Sequence, residues 1–331
     1  MTISNLCILG WGTYLPAVQS VPELIKTAGG DPTNYIKSGW SNVCVAQDAD
    51  HPTAMCTKSL QAALGQTGVA STDLKLVICT SQTHDYIELA TSLEVMKEVN
   101  ASPNCVGFDI FNGCLATLIA LELAKNWLNS NGGGHAAIIS AERSAASIDR
   151  NDSSLESIWG QSDGSSALIV GVGVPQKARV EYHGTCFYST NEMSGHMRRA
   201  FGGTQAPSAP AGQNPFKRIV RKISGPEMQK YFVGGYSKVI DAYIKKYPGK
   251  PQWLVANQVS PVVVEMLGLL TRIEKTKVAK TGIQFGHVGC SDIVLGLENL
   301  TSQGLLIGQG MVVASNPSCW GAAMMSASNP P

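Results

Sequence analysis

A single thiol stands where a predicted strand meets a predicted helix. Cys114 lies in the segment FDIFNGCLATLIALELAKNWL, between a β-like run from Val106 to Phe111 and an apolar-periodic stretch from Leu115 to Leu128. At a helix N-terminus, unpaired backbone N–H groups and the helix dipole favour thiolate over thiol. Cys114 is therefore a candidate covalent nucleophile, and the alternative is a small buried hydrophobic residue, as most free cysteines are.

A histidine and an aspartate in the string GHVGCSD are candidate partners of this thiol. Asp292 follows His287 by five residues. An imidazole that acts as a base is best held by a carboxylate that fixes its tautomer, so Asp292 would orient His287, and His287 would act on Cys114 or on an acceptor. Two structural alternatives stay open: Asp292 as the cap of the helical pattern that it starts, and His287 as a core histidine bonded to the backbone.

Three further residues are weaker candidates. Asn257, in ANQVS, is placed to donate its amide N–H to a thioester or enolate oxygen, or else closes its own loop through a side-chain bond to the backbone. His196, in MSGHMRRAFGG, is a candidate for the substrate pocket. Cys290 lies between His287 and Asp292, where a second nucleophile is redundant, so we expect it to pack at the helix start.

Composition limits the class of protein. The chain has 331 residues, 44% of them hydrophobic, and a net charge of +1 with basic and acidic residues interleaved, so it can bury a large core and shows no broad basic surface for nucleic acid. Its nine scattered cysteines lack CxxC or zinc-type spacing, which predicts no metal site and indicates the reducing cytoplasm. The N-terminus resembles a first strand rather than a signal peptide, and no apolar run has the roughly 18 residues of a membrane span. We expect a small-molecule or protein partner.

The chain also contains a diverged internal repeat. LKLVICTSQ (74–82) matches QWLVANQVS (252–260), and each is followed by a helical pattern, a second strand and a Gly-Cys pair. Leu76 to Gly113 spans 37 positions, against 35 from Leu254 to Gly289. HAAIISAERS then matches GMVVASNPS, and DGSSALIVG matches WGAAMMSAS. These matches predict two copies of one alternating β/α unit.

The repeat predicts how the candidate residues are brought together. We assign residues 1–175 to a half that supplies the nucleophile, and residues 176–331 to a half that supplies the histidine, asparagine and aspartate. In α/β sheets the ligand crevice lies beyond the carboxyl ends of the strands. The loops that carry Cys114, Asn257 and His287 are therefore expected to form one shared site.

The order and spacing of these segments resemble the thiolase superfamily, and specifically its ketoacyl synthase III group, over almost the whole chain. ILGWGTYLP is similar to that group's opening strand, FDIFNGCLATL to its nucleophile segment, SIWGQSDGSSALIVG to its dimer-side hairpin, and SNPSCWGAA to its closing loop. The resemblance implies an α/β thiolase fold with five αβαβα layers, a homodimer, and ping-pong chemistry through acyl-Cys114. It also implies that the backbone N–H groups of Cys114 and Asn316 are oxyanion donors, although Pro317 removes one donor from that loop.

Two positions depart from the usual pattern of the group. Asn257 stands where its histidine belongs, and His287 stands where its asparagine belongs. With Asp292 added, GHVGCSD resembles the subset with Cys/His/Asp or Ser/His/Asp triads, found in antibiotic pathways among ester-forming acyltransferases and starter-unit selectors.

Two reactions can follow from the same acyl-enzyme. In the first, His287 deprotonates a hydroxyl or amine acceptor that attacks acyl-Cys114, and the carboxylate behind His287 favours this acyl transfer. In the second, a malonyl thioester decarboxylates and its enolate attacks, or the enzyme selects a starter unit; this chemistry requires donors such as Asn257 rather than a strong base. An inactive partner subunit of a condensing enzyme is the alternative from a different class.

The acyl donor is expected to be a phosphopantetheine thioester, as acyl-CoA or on an acyl carrier protein, with no bound cofactor. A Gly/Pro/Ala-rich insertion from 195 to 226 carries six basic residues, which would suit an acidic carrier protein or simply form a solvated loop. They are Arg198, Arg199, Lys217, Arg218, Arg221 and Lys222. Tyr35 replaces the group's adenine-stacking tryptophan, which weakens a coenzyme A clamp.

Overall fold

The computed structural model of the protein describes residues 4–37, 39, 41–174 and 178–327. In the first part of the chain the helices and strands alternate as the sequence pattern predicts. They are β1 (Leu6–Tyr14), β2 (Ala17–Ser20), α1 (Val21–Thr27), α2 (Thr33–Lys37), β3 (Asn42–Val45), α3 (Pro52–Thr67), β4 (Leu74–Cys79), α4 (Thr91–Glu98), β5 (Val106–Asp109), α5 (Ala116–Ser130), β6 (Gly134–Arg143) and β7 (Asp163–Val172).

The second part of the chain repeats this alternation after an insertion. A short π-helical stretch, Met228–Val233, joins α6 to α7. The elements are β8 (Val180–Ser189), β9 (Met197–Arg199), β10 (Arg218–Val220), α6 (Gly225–Glu227), α7 (Gly234–Lys246), β11 (Trp253–Ala256), α8 (Pro261–Thr271), α9 (Gly282–Phe285), α10 (Asp292–Ser302), β12 (Gly308–Asn316) and β13 (Cys319–Ala327).

Nine strands form one continuous sheet in the order β11-β12-β13-β8-β1-β7-β6-β4-β5. Each half has the same pairing pattern: β4 is parallel to β6 as β11 is to β12, and the strands that follow are antiparallel. The halves meet where three residues of β1 pair with three of β8. The predicted boundary between residues 175 and 176 falls outside the described residues.

Helices cover the sheet in layers. The central helices α5 and α10 lie between the two halves, where Leu121 and Leu297 share one core with strands of both halves. On the outer faces, α3 and α4 pack on the first half through residues such as Leu60, and α7 and α8 pack on the second through Tyr243 and Leu267. The predicted five-layered αβαβα arrangement is thereby confirmed.

The internal repeat is present, with two corrections. No strand of the second half matches β5 within the described residues; only a single parallel bridge between Leu254 and Val278 occupies its place, because α9 already begins at Gly282. The register also differs from the sequence match by one position. A Cβ added at Gly113 would meet Asn316, and one added at Gly289 would meet Glu142, which makes these two residues equivalent.

Counting back along the paired strands from Asn316 and Glu142 gives the true register. Val313 pairs with Ala256 in β11, and Ile139 pairs with Cys79 in β4. Leu254 is therefore equivalent to Val77 rather than to Leu76. The connecting segments differ in length, so a match based on leucines alone misses the shift.

The basic insertion is more ordered than a solvated loop. Strands β9 and β10 pair antiparallel as a separate small sheet. Five of the six basic side chains are exposed, but Arg218 is only 9% exposed. The prediction of a surface position is therefore wrong for Arg218.

Among the residues that the structure describes, no helix is both long and apolar enough to cross a bilayer.

Candidate active site

Cys114 lies in a tight turn at the start of α5. The turn Gly113–Leu115 is 3-10 helical and continues directly into the helix. Gly113 has φ +58°, and a Cβ on it would come within 2.6 Å of the Asn316 Cβ, so glycine permits both the turn and the close approach of the loop that contains Asn316. The Cys114 side chain is only partly buried, which leaves it open to a substrate.

His287 contacts the thiol directly. Its Nε2 lies 3.2 Å from Cys114 Sγ, and its Nδ1 lies 2.5 Å from Asp292 Oδ2. The backbone fixes this position because the His287 N–H donates to the Gly160 carbonyl and the His287 carbonyl accepts from the Ser162 N–H. Both ring nitrogens thus face side chains of the candidate triad rather than the backbone.

Asp292 is fully buried and faces away from the helix that it begins. Its Oδ2 accepts from the Gln258 backbone N–H at 2.7 Å, and its Oδ1 accepts from the Val288 N–H at 2.9 Å. Neither N–H belongs to the first turn of α10, so the side chain does not act as that helix's cap. The carboxylate instead makes three hydrogen bonds, to the His287 ring and to the backbone N–H groups of Gln258 and Val288.

Gln258 is a supporting residue that sequence reasoning missed. Its amide donates to the carbonyls of Ala256 and Ala279 and accepts from the Gly282 N–H. These bonds hold the backbone N–H that binds Asp292. No sequence pattern signals this role, because every partner of the side chain is a backbone group brought close by folding.

Opposing effects act on the pKa of His287. Burial alone lowers it, but the charges of Asp292 and Cys114 and the hydrogen bonds to both outweigh burial and raise the pKa well above its ordinary value. The proton is therefore held on the imidazole, 3.2 Å from the Sγ atom of the candidate nucleophile.

Asn257 is buried beside the triad. Its Oδ1 accepts from the Ser315 N–H at 2.8 Å, and its Nδ2 donates to the Gly289 carbonyl through a long bond of 3.4 Å. Ser315 is in turn bonded to the Tyr236 hydroxyl at 2.7 Å. Asn257 therefore links the loop after β11 to the end of β12, and its role as an oxyanion donor stays a prediction.

Asn316 links its loop to the nucleophile turn. Its Nδ2 donates to the carbonyl and the side-chain oxygen of Asn112, and its Oδ1 accepts from the N–H groups of Ser318 and Cys319. These bonds close the turn around Pro317 and hold it against the residue two positions before Cys114. The Asn316 backbone N–H remains the predicted second oxyanion donor.

The other sequence candidates have different surroundings. No hydrogen bond joins His196 to the triad among the described residues; its carbonyl accepts from the Arg221 N–H, and its Nδ1 is buried without a partner. Cys290 is buried, and its thiol donates to the Gly113 carbonyl at 3.3 Å, as suits a packing residue. Tyr35 is 2% exposed and packs on Trp159, so its ring is not open to stack on an adenine.

Glu142 is a buried acid that sequence reasoning did not select. Its Oε1 accepts from the Gln82 N–H at 2.8 Å, and its charge acts on both His287 and Arg218. Burial raises the pKa of its carboxyl from 4.5 to about 7. The repeat gave no usable signal, because the sequence match sets Glu142 opposite Pro317 and only the structure makes it the counterpart of Asn316.

Comparisons with known proteins agree with this fold. Residues 108–185 match the family model of 3-oxoacyl-[acyl-carrier-protein (ACP)] synthase III. A β-ketoacyl-[acyl-carrier-protein] synthase III from Clostridium botulinum strain Hall is 23% identical over 326 residues, with 94% of each chain covered.

Solved structures share the fold of this chain. A 3-oxoacyl-[acyl-carrier-protein] synthase III from Aquifex aeolicus VF5 is 20% identical with a TM-score of 0.81, covering 97% of this chain and 99% of that one. A variant of OleA from Xanthomonas campestris, with bound lauric acid and lauroyl-CoA, is 15% identical with a TM-score of 0.83, covering 98% and 100%. The chain therefore has the fold of these solved proteins.

In sequence the chain is similar to the ketoacyl synthase III proteins that the family model and the relatives represent. The Cys114, His287 and Asp292 arrangement is consistent with the Cys/His/Asp subset that the sequence resembles.

Proposed function

We propose that the protein moves an acyl group from a pantetheine thioester, through acyl-Cys114, to a hydroxyl or amine acceptor. The observation that carries this proposal is the continuous line from Cys114 Sγ to His287 Nε2, at 3.2 Å, and from His287 Nδ1 to Asp292 Oδ2, at 2.5 Å. A carboxylate behind the imidazole suits a base that must deprotonate an acceptor.

Loading of the enzyme uses the proton already on His287. The Cys114 thiolate attacks the thioester carbonyl, and the carbonyl oxygen becomes an oxyanion that the backbone N–H groups of Cys114 and Asn316 would stabilise. The bond to the donor sulfur then breaks, and the leaving pantetheine thiolate takes the proton from His287 Nε2. The products are acyl-Cys114, a neutral His287 and free pantetheine thiol.

In the transfer step the proton moves in the opposite direction, from the acceptor to His287. The acceptor gives its O–H or N–H proton to His287 Nε2 as its oxygen or nitrogen attacks the acyl carbon. Collapse of the tetrahedral intermediate expels the Cys114 thiolate and releases an ester or amide. The imidazolium that forms faces the Asp292 carboxylate, which stabilises it throughout.

Intact-protein mass after mixing with an acyl-CoA tests the acyl-enzyme. We expect an adduct of one acyl group on the native protein and none on Cys114→Ala. Cys290→Ala is the matched control, because Cys290 is the equivalent thiol of the second half and we expect its loss to leave the adduct intact. An adduct that survives Cys114→Ala would reject the proposal, and so would the absence of any adduct, which is the result expected of an inactive partner subunit.

Decarboxylative condensation is the second candidate, and Asn257 is the observation that favours it. Its bond to the Gly289 carbonyl is long, at 3.4 Å, so its amide N–H can be redirected to an enolate oxygen. Carbon dioxide release from a malonyl thioester separates the two reactions. Release coupled to a β-keto product would establish condensation, and ester or amide formation without release would establish acyl transfer.

The acyl donor and the assembly are proposed from the relatives. The OleA variant with bound lauroyl-CoA supports an acyl-CoA donor, whereas the names of the curated relatives support an acyl carrier protein. The five exposed basic residues of the insertion would suit the acidic surface of such a carrier. We also propose that the protein is a homodimer.

A further inference from the structure

Arg218 is a buried cation with only neutral partners. Its Nε donates to Ser147 Oγ at 3.1 Å, and its Nη2 donates to Ser144 Oγ at 3.0 Å. Its Nη1 meets only Met197 Sδ, at 3.8 Å. Among the described residues no ion pair within 4.0 Å involves Arg218.

This arrangement leaves one edge of the guanidinium without a good acceptor. A guanidinium has five N–H donors, and the two serine hydroxyls occupy the side edge formed by Nε and Nη2. The end edge, formed by Nη1 and Nη2, has only a thioether sulfur, which is a weak acceptor. A carboxylate matches that edge with two parallel hydrogen bonds, and burying a cation without such a partner is costly.

A second unpartnered group lies in the same place. Gln161 is 8% exposed, its Nε2 meets the same Met197 sulfur at 3.8 Å, and its Oε1 is buried without a hydrogen-bond partner. The Gln161 backbone forms a parallel bridge with His287. Unused donors of Arg218 and an unused acceptor of Gln161 therefore lie between β10 and the candidate catalytic histidine.

Charge near Arg218 changes during the proposed reaction. Burial and the positive charge of Arg199 lower the pKa of Arg218. The negative charges of Glu142, Cys114 and Asp163 raise it, so these groups are close enough to act on the cation. Acylation removes the thiolate charge of Cys114. From that step onward the buried guanidinium has lost one of its anionic neighbours, and a substrate carboxylate can replace it.

We propose that Arg218 binds a carboxylate carried by the acyl chain or by the acceptor, with Gln161 Oε1 accepting an N–H or O–H of the same molecule. The proposal rests on the proposed function for the identity of the reacting groups. It narrows the substrates to compounds that bear an acidic group near the carbon that reacts.

Binding of acyl-CoA to a variant that cannot be acylated tests whether the acyl chain carries the carboxylate that Arg218 binds. Titration calorimetry on Cys114→Ala would compare succinyl-CoA with butyryl-CoA, which have the same number of carbons and differ in the terminal carboxylate. We expect at least about tenfold tighter binding of succinyl-CoA, and loss of that preference when Arg218→Met is added. Arg198→Met, an exposed arginine on β9, is the matched control and should keep the preference. Thermal unfolding of each variant would establish that it is folded.

Single-turnover transfer from the butyryl-enzyme tests whether the acceptor carries the carboxylate that Arg218 binds. We would compare 3-hydroxypropanoate with 1-propanol, and expect Arg218→Met to remove any preference for the acid. A preference in binding assigns the carboxylate to the acyl chain, and a preference only in transfer assigns it to the acceptor.

Two results overturn the proposal: no preference in either arm, or a preference that survives Arg218→Met. If Cys114→Ala prefers succinyl-CoA but the native protein forms no acyl adduct, the proposed function fails while the Arg218 site stands. If there is neither a preference in binding nor an adduct, both fail.

Discussion

At the scale of single residues, the Asp292 carboxylate does two things at once. It orients His287 and accepts two backbone N–H groups, from Gln258 and Val288. An asparagine has the same shape but replaces one acceptor oxygen with an N–H donor, so it cannot satisfy all three partners. Asp292 therefore matters for the tautomer of His287 as well as for its charge.

We expect Asp292→Asn to slow acyl transfer by about 10³ to 10⁴ fold, because His287 would lose the correct tautomer. Loading should change far less, since a thiolate is a good leaving group and needs little help from a general acid. Rapid-quench measurement of the two half-reactions checks this, with Asp241→Asn, an exposed aspartate of α7, as the control. Unchanged transfer would show that Asp292 only supports the loop.

Glu142 predicts a dependence of stability on pH. Burial raises its pKa from 4.5 to about 7 in the folded state, so the folded protein binds more protons than the unfolded chain between these pH values. The free energy of unfolding should therefore fall as pH rises from 4.5 to 7, by about 3 kcal/mol at most from this residue.

Urea unfolding at pH 5, 6, 7 and 8 measures that change. Glu142→Gln keeps an acceptor for the Gln82 N–H and should remove the fall in stability above pH 5. Glu98→Gln, at an exposed site on α4, should behave like the native protein. An equal fall in native protein and Glu142→Gln would mean that Glu142 is not the group that titrates.

The sequence identified residues with reactive side chains and missed those defined by their surroundings. Cys114, His287 and Asp292 could be selected because their residue types and local strings already suggest chemistry, and the structure brings them together. Arg218 and Glu142 could not, because their significance lies in burial next to residues more than 50 positions away. An arginine in a basic run is expected at the surface, and only folding shows that this one is buried.

At the scale of elements, the turns before α5 and α10 are the parts that place the site. Gly113 and Gly289 have almost the same left-handed φ, +58° and +59°, and each is packed against the last or next-to-last residue of a strand from the other half. The sequence predicted both turns from the repeated Gly-Cys pair. It placed the start of α5 at Leu115, one residue before the observed Ala116, because the 3-10 turn has no separate sequence signal.

Gly113→Ala should destabilise the protein by about 2 to 4 kcal/mol and reduce loading at Cys114. An alanine in left-handed backbone costs about 1 to 2 kcal/mol, and its Cβ would lie 2.6 Å from that of Asn316, so the turn must move. Gly65→Ala is the matched control, because Gly65 lies in α3 with no atom within 4 Å of an added Cβ. We expect that control to stabilise the protein by about 0.5 to 1 kcal/mol. Denaturant unfolding and acyl-adduct formation measure both effects, and a stable, fully active Gly113→Ala would contradict this account of the turn.

At the scale of the whole molecule, the two halves supply different parts of one site. The first half contributes Cys114 at the start of α5, and the second contributes His287 and Asp292 at the start of α10. Because these helices lie side by side in the central layer, their N-termini bring the two sets of residues to hydrogen-bond distance. The duplication could be read from the sequence, but the missing counterpart of β5 could not, since VAKTG has the length of a short strand and forms only one bridge.

Strand β5 is the last strand at one end of the sheet, and its free edge has exposed apolar side chains nearby. Val106 on β5 is 44% exposed, and nearby Tyr86, Ile87 and Phe111 are each more than 70% exposed. An open strand edge with apolar neighbours tends to pair with another chain. A second copy can cover it by a two-fold axis that sets one β5 beside the other, which would give the proposed homodimer.

Sedimentation across a range of concentrations checks this prediction. We expect the native protein to be dimeric and the double variant Ile87→Asp with Phe111→Asp to be monomeric, because two buried charges would face each other across the axis. Leu269→Asp is the matched control: Leu269 is 80% exposed on α8 of the second half, and its replacement should leave the dimer intact. A double variant that stays dimeric at all concentrations would place the interface elsewhere. Far-ultraviolet circular dichroism identical to that of the native protein would show that loss of the dimer does not reflect unfolding.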